Sequence, residues 1–369
     1  MRTLKSEYYK IGKVVNPLPF RFNTKPLYKS CYVKVCARLD TFLCNHHFFV
    51  EPPRTQVYPV CSINFAINKF TEASVECIAM NKIIIDDLVC RKDIILHTAL
   101  ILKDTLGFDC GLKISGRNLH NVQHGGFGST ASLQTAVAIA INNLFGNKIS
   151  ESSLVKFLAQ NYGEESNKKG YLSPMASIGG ASAVAVGCNN LIVIGGESEI
   201  WKKYNLSNDY TILIITPIKL QSKITQDMDM KLYKKGYTAF KKIGYEWGQI
   251  KENLLVNKII KDLDKRDTKT LFNLINMYTI GAYGNIPQYF KNRWLSHSIF
   301  FDEFIYDIFY SCFKGVERED SCFFVSSGGP SICFITKEKD IVLGRLKKYK
   351  DFSVSECKFY SGGPQILLR

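Results

Sequence analysis

The segment that most constrains this chain is His120–Gly146, HNVQHGGFGSTASLQTAVAIAINNLFG. Gly125, Gly126 and Gly128 precede Ser129 and Thr130, and nearly every residue from Ala131 to Ile141 is then small or apolar. Ser and Thr favour helix starts and a glycine favours a helix stop, so the pattern predicts a glycine loop opening a helix that ends at Gly146. A helix apolar all round must be buried, and the chain has to build layers on every side of it. Glycines let the backbone approach an anion, and first-turn N–H groups and the helix dipole give that position positive potential. The segment therefore predicts a phosphate cradle, with a simple tight turn as the rival reading. It matches neither a Walker A loop, since no Lys follows the glycines, nor GxGxxG.

The flanking sequence supplies the layers. Tyr32–Leu43 alternates through Val33, Val35, Ala37 and Leu39, and Cys61–Met80 through Ile63, Phe65, Ile67 and Val75; both read as strands. Arg91–Leu106 has helical periodicity and stops at Gly107, followed by a short strand, Cys110–Ile114. Ser150–Tyr162 reads as a second helix and Gly163–Gly170 as a polar loop. Pro174–Glu197 is low in bulk, with two strand-like apolar runs and glycine pairs at 179/180 and 195/196. Thr211–Thr216 opens a second half as a buried strand, followed by helices near Lys231–Ile243, Leu254–Met277 and His297–Lys314. Ser321–Thr336 (SCFFVSSGGPSICFIT) is strand, glycine loop, strand; Glu338–Tyr349 is amphipathic and Phe352–Phe359 returns as a strand. The expected organisation is residues 1–205 with the phosphate loop and 206–369 with the SSGGP loop, the two sharing one cleft.

Charge and cysteine content exclude several classes. The chain has 369 residues and a formal charge of +15. Residues 1–40 and 201–270 each contribute +7, whereas 101–200, which hold the cradle, sum to zero. Neither basic block has an RNP-like, helix-turn-helix or zinc-finger pattern, so a nucleic-acid partner is not expected. The twelve cysteines form no CxxC pair, which argues against a zinc ribbon and for free buried thiols in a reducing compartment. His46 and His47, being adjacent, would point to opposite faces of a strand rather than share a metal. No apolar run approaches the ~18–20 residues that cross a bilayer, and the first residues carry no apolar signal core, so a soluble cytoplasmic protein without a membrane partner is expected.

Three segments in this order and at these distances, KVCARLDTFL, HGGFGSTAS and VSSGGPSICFIT, resemble the GHMP kinase superfamily over most of residues 30–360. Within it the chain is most similar to the β-ribofuranosylaminobenzene 5'-phosphate synthase branch, which includes C-nucleoside synthases. There the first motif reads like SRIHxGL, here Ala37–Leu43; the loop reads like HxGLGSGTQ, here His124–Ser132; the next reads like SGIGxxxFxxGGFxxDGG, here spread over Ser177–Gly196. The resemblance implies an α+β fold of two domains, an N-terminal ribosomal-protein-S5-like α/β domain and a C-terminal ferredoxin-like α+β domain. The chain departs from the pattern at Asp40, where that branch has His, and at Ile194, where it often has Asp. It also has no carboxylate between Glu165 and Glu197, the stretch in which kinases of the superfamily commonly place a catalytic Asp.

The synthase branch implies phosphoribosyl pyrophosphate as donor and a small aromatic or heteroaromatic carboxylate as acceptor, with loss of pyrophosphate and CO2. The kinase alternative implies ATP and a small hydroxylated metabolite; a non-catalytic superfamily member is the third possibility. Mg2+ is expected with the diphosphate. His124 is the candidate general acid; Asp40 and Glu197 are candidate catalytic carboxylates, and Asp40 is a candidate metal ligand. Arg38 shares a strand face with Asp40 and suits bidentate pairing with a phosphate or carboxylate, the rival being a structural ion pair with Asp40. Gly125, Gly126, Gly128, Ser129 and Thr130 are assigned to the donor phosphates. Ser326, Ser327, Gly328 and Gly329 are assigned to closure over the ribose phosphate or acceptor. A homodimer is left open.

Overall fold

The computed structural model describes residues 8–45, 47, 60–119, 126–174, 177–218, 244–280, 304–326 and 331–369. Two long strands organise its first half, β2 (Ser30–Thr41) and β3 (Ser62–Ile78), after a two-residue β1 (Tyr9–Lys10). In β2 the alternation is literal: Cys31, Val33 and Val35 are buried, with Tyr32 and Lys34 between them less so. β3 pairs with β2 along its length, and a register shift between Cys36 and Ala37 leaves Asn68 and Lys69 of β3 outside the ladder. The other edge of β3 is shared: Thr71–Ile78 pairs with β5 (Gly111–Asn118), and Ser62–Phe65 with β8 (Leu191–Ile194). β4 (Ile83–Ile85) runs parallel to β5, and β9 (Ile200–Tyr204) antiparallel to β8.

Four helices pack in this half. α1 (Lys92–Leu106) ends, as its sequence predicts, at Gly107, whose left-handed backbone lets its N–H donate to the Lys103 carbonyl. α2 (Ser129–Leu144) is the Ala-rich segment, with twelve of its sixteen residues buried. α3 (Glu151–Gln160) is capped by Ser150, whose Oγ accepts from the Ser153 N–H. α4 (Gly180–Val186) lies where a strand-like run is expected. A short apolar run has no periodicity to tell strand from helix. Here Ala181, Ala183 and Ala185 are small enough to bring the helix backbone against β2, where the Cys36 thiol donates to the Val184 carbonyl. The expected polar loop 163–170 likewise contains β6 (Gly163–Glu165), which pairs with β7 (Tyr171–Pro174), and β7 with β1.

In the second half, β10 (Thr211–Pro217), β11 (Cys322–Val325), β12 (Ile332–Thr336) and β13 (Phe352–Cys357) form an antiparallel sheet of order β11-β12-β10-β13. Alternation along β10 feeds two cores. Leu213 and Ile215 face α7 (Phe304–Phe313) and α8 (Lys339–Leu346). Ile212 and Ile214 face α5 (244–264) and α6 (Lys269–Ile280). The helix expected over Leu254–Met277 is thus two helices. Between them Asp267 Oδ1 accepts from the Lys269 N–H and Arg266 is left-handed, a local side-chain bond competing with helix continuation across a charged run. The helix expected at Lys231–Ile243 lies outside the described residues.

The two halves are joined through a common core. Ala37, Leu39, Ile63 and Phe65 of the first sheet pack with Leu255, Ile259, Phe272 and Ile275 of α5 and α6. The chain's last strand, β14 (Gln365–Leu368), crosses back to pair with β2, so segment 206–369 contributes one strand to the first sheet. All twelve cysteines are free and eight are buried. Among the described residues no helix is long and apolar enough to cross a membrane.

Candidate active site

The C-terminal end of β2 lies between two packing layers. Ala37 and Leu39 point into the core shared with α5 and α6, so Arg38 and Asp40 point the other way, toward α2 and α4. Arg38 Nη1 sits 2.5 Å from Asp40 Oδ1, and the two side chains are only 14% and 12% exposed. The predicted shared face is therefore present, and the structural ion pair with it. Yet Arg38 Nε is buried and makes no hydrogen bond, which leaves a guanidinium donor unspent beside the glycine loop.

The glycine loop and the C-terminal motif close on the same point. Ser326 is fully buried; its hydroxyl donates to the Gly126 carbonyl (2.6 Å) and accepts from the Asp40 N–H (3.1 Å). The Arg38 N–H donates to the Phe127 carbonyl at 3.3 Å, and the Phe127 ring is buried in the shared core. Gly126 has φ +84°, and a Cβ there would lie 2.3 Å from the Ser326 carbonyl oxygen. Gly128, φ +67°, is the N-cap of α2 and has no side chain to cap the helix; a Cβ would meet Arg38 Cγ and Nε at 3.1 and 3.2 Å. The arrangement thus juxtaposes a helix N-terminus, a guanidinium and a largely buried carboxylate, with Ser129 and Thr130 half-buried in the first helical turn.

Ser326→Ala would leave both the Asp40 N–H and the Gly126 carbonyl without the hydroxyl. Each unsatisfied buried group costs ~1–3 kcal/mol, and we expect a loss in that range by urea denaturation. An unchanged midpoint would show that the contact between the halves does not depend on this serine.

Glu197 is held elsewhere. Its Oε2 pairs with Lys156 Nζ of α3 at 2.8 Å, its carbonyl accepts from Gln160 Nε2, and its backbone is left-handed at φ +61°. The hydrogen bond to Glu197 raises the Lys156 pKa. His124, Gly125, Ser327, Gly328 and Gly329 lie outside the described residues, as does His46; His47 stacks on Tyr245. Among the described residues no three His, Cys, Asp or Glu side chains cluster as a metal site.

Asn64 was not among the expected site residues. It stands opposite Asp40 in the β2–β3 ladder; its Nδ2 donates to Ser62 Oγ, and its buried Oδ1 makes no hydrogen bond. A Cβ on Gly180 would come within 2.1 Å of that oxygen, which accounts for the second glycine of the 179/180 pair. The available signal was a polar residue inside the apolar run SINFAIN.

Residues 93–187, from α1 through α4, match the family described as GHMP kinases N terminal domain. No curated protein matches the chain. Solved structures match over most of its length. Homoserine kinase from Cytophaga hutchinsonii is 17% identical with a TM-score of 0.59, covering 94% of this chain and 100% of its own. Mevalonate diphosphate decarboxylase from Enterococcus faecalis is 11% identical with a TM-score of 0.60, covering 92% and 99%. L. major mevalonate kinase, in complex with R-mevalonate, is 15% identical with a TM-score of 0.55, covering 92% and 99%. Residues 93–187 thus match a GHMP kinase N-terminal domain, and the chain as a whole shares its α+β fold with these solved structures.

Proposed function

We propose that the chain is a transferase that joins the ribosyl group of phosphoribosyl pyrophosphate to a small aromatic carboxylate, giving a C-riboside 5'-phosphate, pyrophosphate and CO2. The observation that carries this reading is the convergence of Arg38, Asp40, the Gly126–Gly128 turn and Ser326 on one point. The C1–O bond to pyrophosphate breaks as ring carbon attacks C1. CO2 then leaves that carbon, and the electrons of its C–C bond restore the aromatic ring. The first-turn N–H groups of α2 bind the diphosphate and stabilise the charge that develops on it as it departs. Arg38 supplies a guanidinium held beside the loop by its ion pair with Asp40.

This reaction needs no strong base for a substrate hydroxyl, and the chain offers no carboxylate between Glu165 and Glu197. Mg2+ fits as a companion of the diphosphate: it would bring charge neutralisation on the phosphate oxygens, with Asp40 as the one nearby described carboxylate. A second reading, an ATP-dependent small-molecule kinase, is favoured by the largely buried Asp40 beside the loop and by the fold shared with homoserine and mevalonate kinases.

The assay supplies phosphoribosyl pyrophosphate or ATP, each with Mg2+, against a panel of aromatic carboxylates and hydroxylated metabolites. Pyrophosphate with CO2 release supports the synthase, whereas ADP release supports the kinase. Neither release, with no ligand-induced rise in Tm, would overturn both and leave a non-catalytic protein.

A further inference from the structure

Immediately after β2 the chain makes an unusual strap. Phe42 and Asn45 both have left-handed backbone, at φ +51° and +42°; Asn adopts it readily, but a Phe rarely does unless the surroundings impose it. What imposes it is one face of α5. Lys251 Nζ donates to the Leu43 carbonyl at 2.5 Å, and Glu252 Oε2 accepts from Asn45 Nδ2 at 3.1 Å. Gly248 approaches so closely that a Cβ would lie 2.3 Å from Asn45 Oδ1. These three positions, i, i+3 and i+4, share a helix face.

Lys251 is only 2% exposed, and its amine lies over the rings of Phe42 and Tyr278 at 5.1 and 5.3 Å. The ionisable groups around it are the Cys44 and Cys61 thiols, the Tyr278 hydroxyl and the Glu252 carboxylate. Cys61 is held protonated by its hydrogen bond to Cys44 and by burial. Burying a lysine among aromatic rings is costly, so an apolar residue would serve simple packing better. The second half thus holds this strand end twice, with Ser326 on the Asp40 N–H and Lys251 on the Leu43 carbonyl.

We propose that Lys251 is a positioning residue: by holding the strap Phe42–Asn45 in its left-handed form, it fixes Arg38 and Asp40 for the donor polyphosphate. The proposal rests on the donor-site reading above, and its test separates the two. Lys251→Met keeps the aliphatic length without the N–H donor, and Lys251→Arg keeps a donor and the charge. The readouts are calorimetric binding of inorganic pyrophosphate with Mg2+ and amide hydrogen exchange over residues 37–45.

Lys251→Met is expected to weaken pyrophosphate binding on the order of tenfold, since small misplacements of binding groups are costly, and to speed exchange at residues 38–41. Lys251→Arg should recover part of both. Should Lys251→Met not fold, Gly248→Ala disturbs the same strap from the neighbouring turn and should give the same pair of changes. Unchanged exchange at 38–41, with faster exchange confined to α5, would overturn the proposal. If the wild type itself binds no pyrophosphate, the donor-site reading fails and the exchange data still decide the role of Lys251.

Burial also pushes the Lys251 pKa down from its ordinary 10.5 to about 8. Between those values the unfolded chain binds the proton more tightly, so stability from this group rises with pH across that window. Lys251→Met should lack that rise in thermal melts recorded from pH 8 to 10.5.

Discussion

Gly128→Asp is expected to fold and to lose polyphosphate binding by at least about 100-fold, ~3 kcal/mol. Two effects act in the same direction. A side chain at this position starts 3.1 Å from both Arg38 Cγ and Ala181 Cβ, so it enters the space between β2 and the start of α2. Its carboxylate would then compete with the donor phosphate for the α2 N–H groups and for the guanidinium whose Nε has no protein partner. The left-handed backbone adds strain, which Asp tolerates better than most residues. Gly128→Ala is the control, since it brings the strain and the bulk without the charge. Titration of both variants with pyrophosphate, after circular dichroism confirms folding, separates them. If Gly128→Asp binds as tightly as wild type, the loop is a turn and not a cradle.

What the sequence revealed of this site was whatever a local pattern could encode. Alternation beyond the register shift of β2 put Arg38 and Asp40 on one face, and glycines followed by Ser and Thr marked where α2 opens, although its N-cap is Gly128 and both Ser129 and Thr130 lie inside the helix. Contacts formed across long separations had no such signature. Ser326 meets Asp40 across 286 residues, and Lys251 meets Leu43 across 208. The sequence offers no period or motif for either, although VSSGGP pointed to the neighbourhood of the first. Helix α4 departs from the expected strand because its apolar run is too short to carry a period. β14 has no local signal either, since its pairing partner, β2, lies near the other end of the sequence. Glu197, a candidate carboxylate, pairs with Lys156 on α3, another contact that no local pattern encodes.

The ion pair of Arg38 and Asp40 is both the strongest argument for a site and the main obstacle to proving one, because a variant can fail for structural reasons alone. Arg38→Met leaves the Asp40 carboxylate largely buried without its cation, and removing one partner of such a pair costs ~3–5 kcal/mol. Loss of donor binding in that variant would therefore prove little. The double variant Arg38→Met/Asp40→Asn removes both charges while nearly preserving shape, and most of the lost stability should return. If Arg38 is a phosphate ligand, binding should not return with it. The single variant Asp40→Asn completes the cycle: it leaves the guanidinium in place without the carboxylate it pairs with, so pyrophosphate should still bind while turnover falls. The coupling between the two substitutions, read once by urea denaturation and once by calorimetry, then assigns the pair. A double variant that regains stability and binding together would make Arg38 a structural residue, and anion recognition would rest on the backbone of the glycine loop alone.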